Sequence, residues 1–359
     1  MSRHENVDGI LALHDEAVAP VQGLSAAPSQ DVQPAGVERR QKRCRTGAGS
    51  NRPSRSRSGR STTARSSAIQ FWRYGMQVDS AVVEQFPVSG AQLYTETRGT
   101  GPLLLLVVGG NGDPAVFTGV ADRLAGDFTV VTYARRGFAG SPVNGPVFDA
   151  NRISTDVDDA VAQIAHHGGG PACVFGSSSG AIVALDLVTR HPDLVSTAVL
   201  HEPPILELLE DPDSWVARFD EIFATYQTAG LWPAMAQFAQ AVGLAGGPDG
   251  PPPDAGPAAE SAAMLARAQE NMTFWMEHEF RQYPAYHPDL DALAAIADKI
   301  VPAGGKDSRE KRHMPFLPVV TLAGRLGREV VEFPGGHVGY AEHPHDFATL
   351  LGRVLARNA

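Results

Sequence analysis

The 359-residue chain is 43% apolar, enough to fill a substantial core, and carries a formal net charge of −10. That charge is divided: residues 1–76 hold 12 Lys/Arg against 6 Asp/Glu, whereas residues 77–359 hold 18 against 34. An acidic body lacks the electrostatic footprint of a nucleic-acid binder, and no apolar run approaches the ~18 residues of a membrane span.

Residues 1–76 read as a disordered basic tail, or as an over-long start in which Met76 is the initiator. The stretch Arg39 to Ser67 is rich in Arg, Ser and Gly and has almost no large apolar residue to offset the entropy of ordering. No basic segment followed by an apolar one opens the chain, so a secretory signal is not expected. The two cysteines, Cys44 and Cys173, argue against a disulfide framework and fit a reducing, cytoplasmic setting.

From residue 80 the pattern becomes regular. Ala81 to Pro87 and Ala91 to Arg98 predict two strands joined at Ser89-Gly90. Leu103 to Val108 is a continuous apolar run, as expected of a strand covered on both faces, and stops at Gly109-Gly110-Asn111-Gly112. Helical spacing over Val116 to Leu124, a strand at Phe128 to Tyr133, a helix over Ser154 to His166 and a strand at Ala172 to Phe175 follow. Gly176-Ser177-Ser178-Ser179-Gly180 leads into a helix over Ala181 to Arg190, and Thr197 to Leu200 is a further strand. Strands alternating with helices predict a mostly parallel, eight-stranded type of sheet in the α/β class. After His201-Glu202-Pro203-Pro204 about ninety residues of helical pattern intervene, broken by a Gly/Pro loop at Gly243 to Pro257. This predicts a helical lid over 205–295, with the core divided into 77–204 and 296–359. Strands return at Lys299 to Pro302 and Glu329 to Phe333, and a helix over Asp346 to Ala356 closes the chain.

The sharpest chemical signal is Gly-x-Ser-x-Gly between a short apolar strand and a helix. Such a turn is too tight for side chains at its flanks and lifts the central hydroxyl, here Ser178, to the start of a helix that favours negative charge. A hydroxyl needs a base to take its proton. His337, in Pro334-Gly335-Gly336-His337 after the last strand, is the candidate; His343 and His345 are weaker competitors.

In these features, in this order, the chain resembles the α/β-hydrolase superfamily over roughly residues 80–357. Arg136-Gly137-Phe138-Ala139-Gly140-Ser141 looks like the superfamily's Arg-Gly-x-Gly-x-Ser loop, and Gly304-Gly305-Lys306-Asp307 follows the lid. The resemblance implies a triad of Ser178, His337 and an acid. Asp307 stands at the usual position after strand seven. Glu202, 24 residues after Ser178, stands after strand six, where some lidded members place theirs. Both remain candidates. The backbone N–H groups of Asn111 and Ser179 are the expected oxyanion donors. Gly109 replaces the superfamily's usual histidine, which leaves the support of that loop open. Gly110, Trp275, Phe274 and Tyr283 are candidate substrate contacts. Asp156 reads as a surface helix residue.

No cofactor and no metal are expected, since His166, His167 and His201 lack ligand partners at metal spacing. The expected partner is a small, apolar molecule, with no nucleic acid and no membrane. The function implied is hydrolysis of an ester, lactone or thioester through an acyl-serine. C–C bond hydrolysis or cofactor-independent perhydrolase or haloperoxidase chemistry on the same triad is the alternative, followed by a non-catalytic ligand receptor.

Overall fold

Eight stretches of the sequence assemble into one sheet. In the computed structural model, which describes residues 81–244 and 258–358, the strands are β1 (Val82–Val88), β2 (Ala91–Arg98), β3 (Leu103–Val107), β4 (Thr129–Tyr133), β5 (Ala172–Ser177), β6 (Val195–His201), β7 (Ile300–Gly305) and β8 (Val331–Phe333). Their spatial order is β1-β2-β4-β3-β5-β6-β7-β8. β1 and β2 form the expected hairpin, β2 pairs antiparallel with β4, and every other pairing is parallel. The tail at 1–76 and most of the loop at Gly243 to Pro257 lie outside the described residues.

The helices are α1 (Thr118–Leu124), α2 (Arg152–His166), α3 (Ser179–Arg190), α4 (Pro212–Ala229), α5 (Leu231–Val242), α6 (Ala258–His278), α7 (Leu290–Ala295), α8 (Lys306–Lys311), α9 (Phe316–Leu326), α10 (Gly339–Glu342) and α11 (Pro344–Asn358). They cover both faces, which is why β3 is apolar at every position. Side chains alternate along a strand. Leu103, Leu105 and Val107 pack in one core with residues of α2, α3 and α9, while Leu104, Leu106 and Val108 pack in another with residues of α1 and α11.

Four helices, α4 to α7, lie between β6 and β7 in chain order, where the helical insertion was expected. Phe219, Ile222, Leu231, Trp275, Met276 and Phe280 form a third apolar cluster there, joined by Phe138 from the loop after β4 and Met314 from the loop before α9. Three helices depart from the sequence reading, among them the single turn of α10. No helix was expected at Lys306 and Asp307, which open α8, and α9 was not anticipated because Pro318 and Val319-Val320 mask its periodicity. Pro318 falls in the first turn, where its missing N–H costs no helical hydrogen bond.

Candidate active site

β5 and α3 are joined by a single residue, Ser178, held at φ 55°, ψ −125°. A non-glycine residue in that region costs about 1–3 kcal/mol and persists only where its surroundings enforce it. Here they do. The Ser178 N–H donates to His201 O at 2.9 Å, and its own carbonyl accepts from Ala181 N at 2.9 Å. The flanking glycines are steric necessities. A Cβ on Gly176 would stand 2.3 Å from Gly180 O, and one on Gly180 would stand 2.2 Å from Val107 O.

On the neighbouring strand, Glu202 follows β6, also with positive φ (51°), and is wholly buried. Its Oε2 lies 2.6 Å from His337 Nδ1, and its Oε1 accepts the N–H of Gly305 at 2.7 Å. Burial opposes ionisation of Glu202. The hydrogen bond and charge of His337, with help from His201 and the Gly305 N–H, outweigh it and bring the carboxyl from 4.5 down to about 2. An ionised carboxylate can only accept, so Nδ1 carries the proton and, in the neutral ring, Nε2 keeps its lone pair. The loop that delivers His337 passes so close to β7 that a Cβ on Gly305 would meet Gly336 O at 2.6 Å. Gly305 therefore serves this approach, whereas a Cβ on Gly304 would meet the Phe316 ring at 2.6 Å.

Asp307 is placed elsewhere. It lies in the first turn of α8, its side chain is 45% exposed, and its carboxylate faces Lys311 at 4.0 Å; its backbone N–H, not its carboxylate, touches the histidine loop, at Gly335 O. Of the two acids open in the sequence, Glu202 is the one in contact with the imidazole. His343 follows α10 and His345 lies in α11. His201 is buried with Nδ1 3.4 Å from Ser177 Oγ, and burial lowers its pKa to about 4, so it is neutral at neutral pH.

Gly109, Gly110 and Asn111 run past the elbow. The side chain of Asn111 accepts the N–H of Asp113 at 2.8 Å and so is used in its own turn. Ser179 is the first residue of α3, whose leading N–H groups have no carbonyl partner within the helix.

Support for this loop comes from a side chain that sequence reasoning passed over. Arg135, fully buried, donates from Nε to Val108 O (3.0 Å) and from Nη2 to Gly109 O (2.9 Å). Its remaining donors reach Glu279 at 2.7 and 2.8 Å and Asp156 at 2.6 Å. Arg152 also donates to Glu279, at 2.9 Å, and Tyr283 donates to Asp156 at 2.6 Å. Asp156 is thus no surface residue: it is 1% exposed. Burial works against its charge, but Arg152, Arg135 and the Tyr283 hydroxyl overrule this and lower its pKa. The cluster ties β3, the loop after β4, α2 and the residues following α6 to one point.

Ser178, Ser179, His337, Gly110 and Asn111 all line one cavity of about 200 Å³. Trp275 also lines it, with Gly110 directly beneath its indole. Phe274 and Tyr283 do not. Phe274 packs on Phe138, with ring centroids 4.8 Å apart, at an outer depression, and Tyr283 is consumed by the ionic cluster. Phe274 and Trp275 are neighbours in α6, and only the packing decides which one faces inward. Phe219, Met235, Phe238, Met272 and Met314 complete much of the wall, and among the described lining residues none is Lys, Arg, Asp or Glu.

Residues 104–350 match the Alpha/beta hydrolase family. The uncharacterized hydrolase YraK of Bacillus subtilis (strain 168) is 35% identical over 275 residues, covering 75% of this chain and 94% of that protein. The chain belongs to the alpha/beta hydrolase family and is a hydrolase. Among solved structures it is similar to a thermophilic esterase from Thermogutta terrifontis, with TM-score 0.55, 18% identity, and coverage of 77% of this chain and 98% of the other. It is also similar to Est816, described as an N-acyl homoserine lactone degrading enzyme, with TM-score 0.56, 17% identity, and coverage of 74% and 98%. At those identities the likeness is one of fold.

Two stability predictions follow from the buried charges. Glu279→Ala leaves two buried guanidinium groups without their shared carboxylate, at an expected loss of about 3–5 kcal/mol in urea unfolding. A loss below about 1 kcal/mol, the range of exposed pairs, would contradict the cluster. For Glu202 the folded-state value lies below the ordinary one, so its ionised form stabilises the fold above pH 4.5, and this contribution fades as the pH falls toward about 2. The stability gap between wild type and Glu202→Gln should narrow across that window; a constant gap would contradict the assignment.

Proposed function

We propose that the chain hydrolyses uncharged, apolar carboxylic esters, lactones or thioesters through an acyl-serine on Ser178. The observation that carries this reading is the 2.6 Å contact between His337 Nδ1 and buried Glu202, made beside a serine in a strained elbow that opens into the same cavity. Glu202 holds the imidazole in the tautomer that leaves Nε2 free, and stabilises the imidazolium once it forms. Nε2 takes the Ser178 hydroxyl proton as Oγ attacks the carbonyl carbon. The N–H groups of Asn111 and Ser179 receive the oxyanion. The imidazolium then protonates the departing alcohol or thiol, leaving the acyl group on Oγ. Water, deprotonated by the same nitrogen, releases the acid and restores Ser178.

The substrate class rests on the wall of the cavity. A charged acyl group would enter without a counter-ion and lose its hydration, a penalty that apolar acyl groups escape. Three methionines in the wall, with their flexible thioethers, suit acyl chains of varied shape. In this reading α4 to α6 act as a lid, supplying Phe219, Met235, Phe238, Met272 and Trp275 to the cavity. The buried free thiol of Cys173 supports a reducing, cytoplasmic setting.

The test is turnover of p-nitrophenyl esters of graded acyl length. Ser178→Ala is expected to lose nearly all activity while remaining folded. Glu202→Gln is expected to lower kcat by roughly four orders of magnitude, whereas Asp307→Asn is expected to leave it within a fewfold of wild type. The reverse ranking of the two acids would overturn the triad. Hydrolysis of a succinyl ester as fast as that of the butyryl ester would overturn the substrate class.

A further inference from the structure

α2 runs back against the parallel strands it connects, so it ends at the edge of the sheet opposite Ser178. There the sequence places His166 and His167, and the fold brings up Glu84 of β1, 82 residues earlier in the chain. Consecutive residues in a continuing helix point about 100° apart. His166 is the last residue of α2, but His167 has already left helical geometry, at φ −97°, ψ 23°. The two imidazoles consequently stand edge to face, with centroids 4.8 Å apart. Glu84 Oε1 lies 3.0 Å from His166 Nε2 and 3.8 Å from His167 Nε2, and the three atoms all fall within 4.8 Å of one another.

The surroundings orient these rings as ligands. His167 Nδ1 faces the Gln163 carbonyl at 2.9 Å. A carbonyl has no proton to give, so Nδ1 carries the hydrogen and Nε2 keeps its lone pair, which faces the Thr97 hydroxyl at 3.0 Å. Donation of the second ring nitrogen to a carbonyl is how metal-binding histidines are held. His166 stacks on Phe86, at 4.4 Å between centroids, and Phe86 shares a strand face with Glu84. Bonds of about 2.1 Å at tetrahedral angles need ligand atoms about 3.4 Å apart, so small side-chain rotations complete the set.

We propose that Glu84, His166 and His167 form a binding site for a borderline divalent cation of the Zn²⁺ type, which clips the β1–β2 hairpin to the end of α2. Two neutral imidazoles and one carboxylate suit such an ion better than Ca²⁺ or Mg²⁺, which prefer oxygen alone. The ion takes the Nε2 lone pairs and Glu84 Oε1, any proton held between His166 and Glu84 leaves to solvent, and water or Thr97 Oγ1 occupies the fourth position. None of these residues lines the cavity at Ser178, so the site is structural and separate from the chemistry.

The test is calorimetric titration of Zn²⁺ into the untagged full chain and into the His166→Ala/His167→Ala double variant, with thermal unfolding in parallel. The wild type should bind one equivalent more than the double variant, and Glu84→Gln should weaken that equivalent at least about tenfold. Zn²⁺ should raise the melting temperature of the wild type and not that of the double variant. Ester turnover without added metal should be alike in all three proteins, which also establishes that the variants fold. Equal uptake by wild type and double variant, or no uptake by the wild type, would overturn the site.

Discussion

The contact between Glu202 and His337 must be made across two strand ends, and much of the local backbone is arranged around it. Glu202 carries a buried charge, which needs several partners to persist. It finds them in the His337 ring and the Gly305 N–H, 2.6 and 2.7 Å away. Each partner imposes a demand. The carboxylate reaches both by turning its backbone to positive φ at the end of β6, while the histidine loop must cross β7 at a distance only glycine tolerates. Two neighbouring strands thus end in residues forced into rare conformations, Ser178 and Glu202, and the adjoining sheet holds both.

A second constraint is the ionic cluster of Arg135, Arg152, Asp156 and Glu279. Desolvating four charges is expensive, and a well-packed apolar cluster would often serve stability as well. What the charged version provides is a defined geometry. A guanidinium with every donor engaged fixes the carbonyls of Val108 and Gly109 while clamping the segment after α6. That answers the question raised by Gly109, which replaces a histidine in the resembled pattern: the loop is braced from beneath by Arg135. The carboxylate of Glu279, which follows α6, is thereby linked through Arg135 to the carbonyl of Gly109.

The cavity wall has a different character. Ser178, Asn111 and His337 are among the few polar side chains that line it, and the remainder is largely aliphatic, aromatic or thioether surface contributed by several segments. A few directional groups in an otherwise non-directional wall suit the proposed recognition of a carbonyl by geometry and of the rest of the substrate by exclusion from water.

The sequence by itself determined what depends on local sterics and periodicity. Apolar runs of strand length between helical patterns specified the parallel sheet, and the glycines around Ser178 specified a bend that few other residues could make. His337 was offered by its place in a Pro-Gly-Gly loop after the last strand, and the structure puts it on the cavity that Ser178 also lines. The tertiary structure decided what depends on which distant groups meet. Glu202 and Asp307 are equally good carboxylates in the sequence, and only the passage of the histidine loop over β7 separates them. Trp275 and Phe274 are adjacent in the chain, yet one faces the cavity and the other packs outside it. Asp156 lay on an apparently polar helix face until Arg135, from another element, buried it, and His166 and His167 acquired a carboxylate only when β1 closed the edge of the sheet. Local conformational cost is written into a few neighbouring residues, whereas charge pairing and burial are properties of the assembled chain.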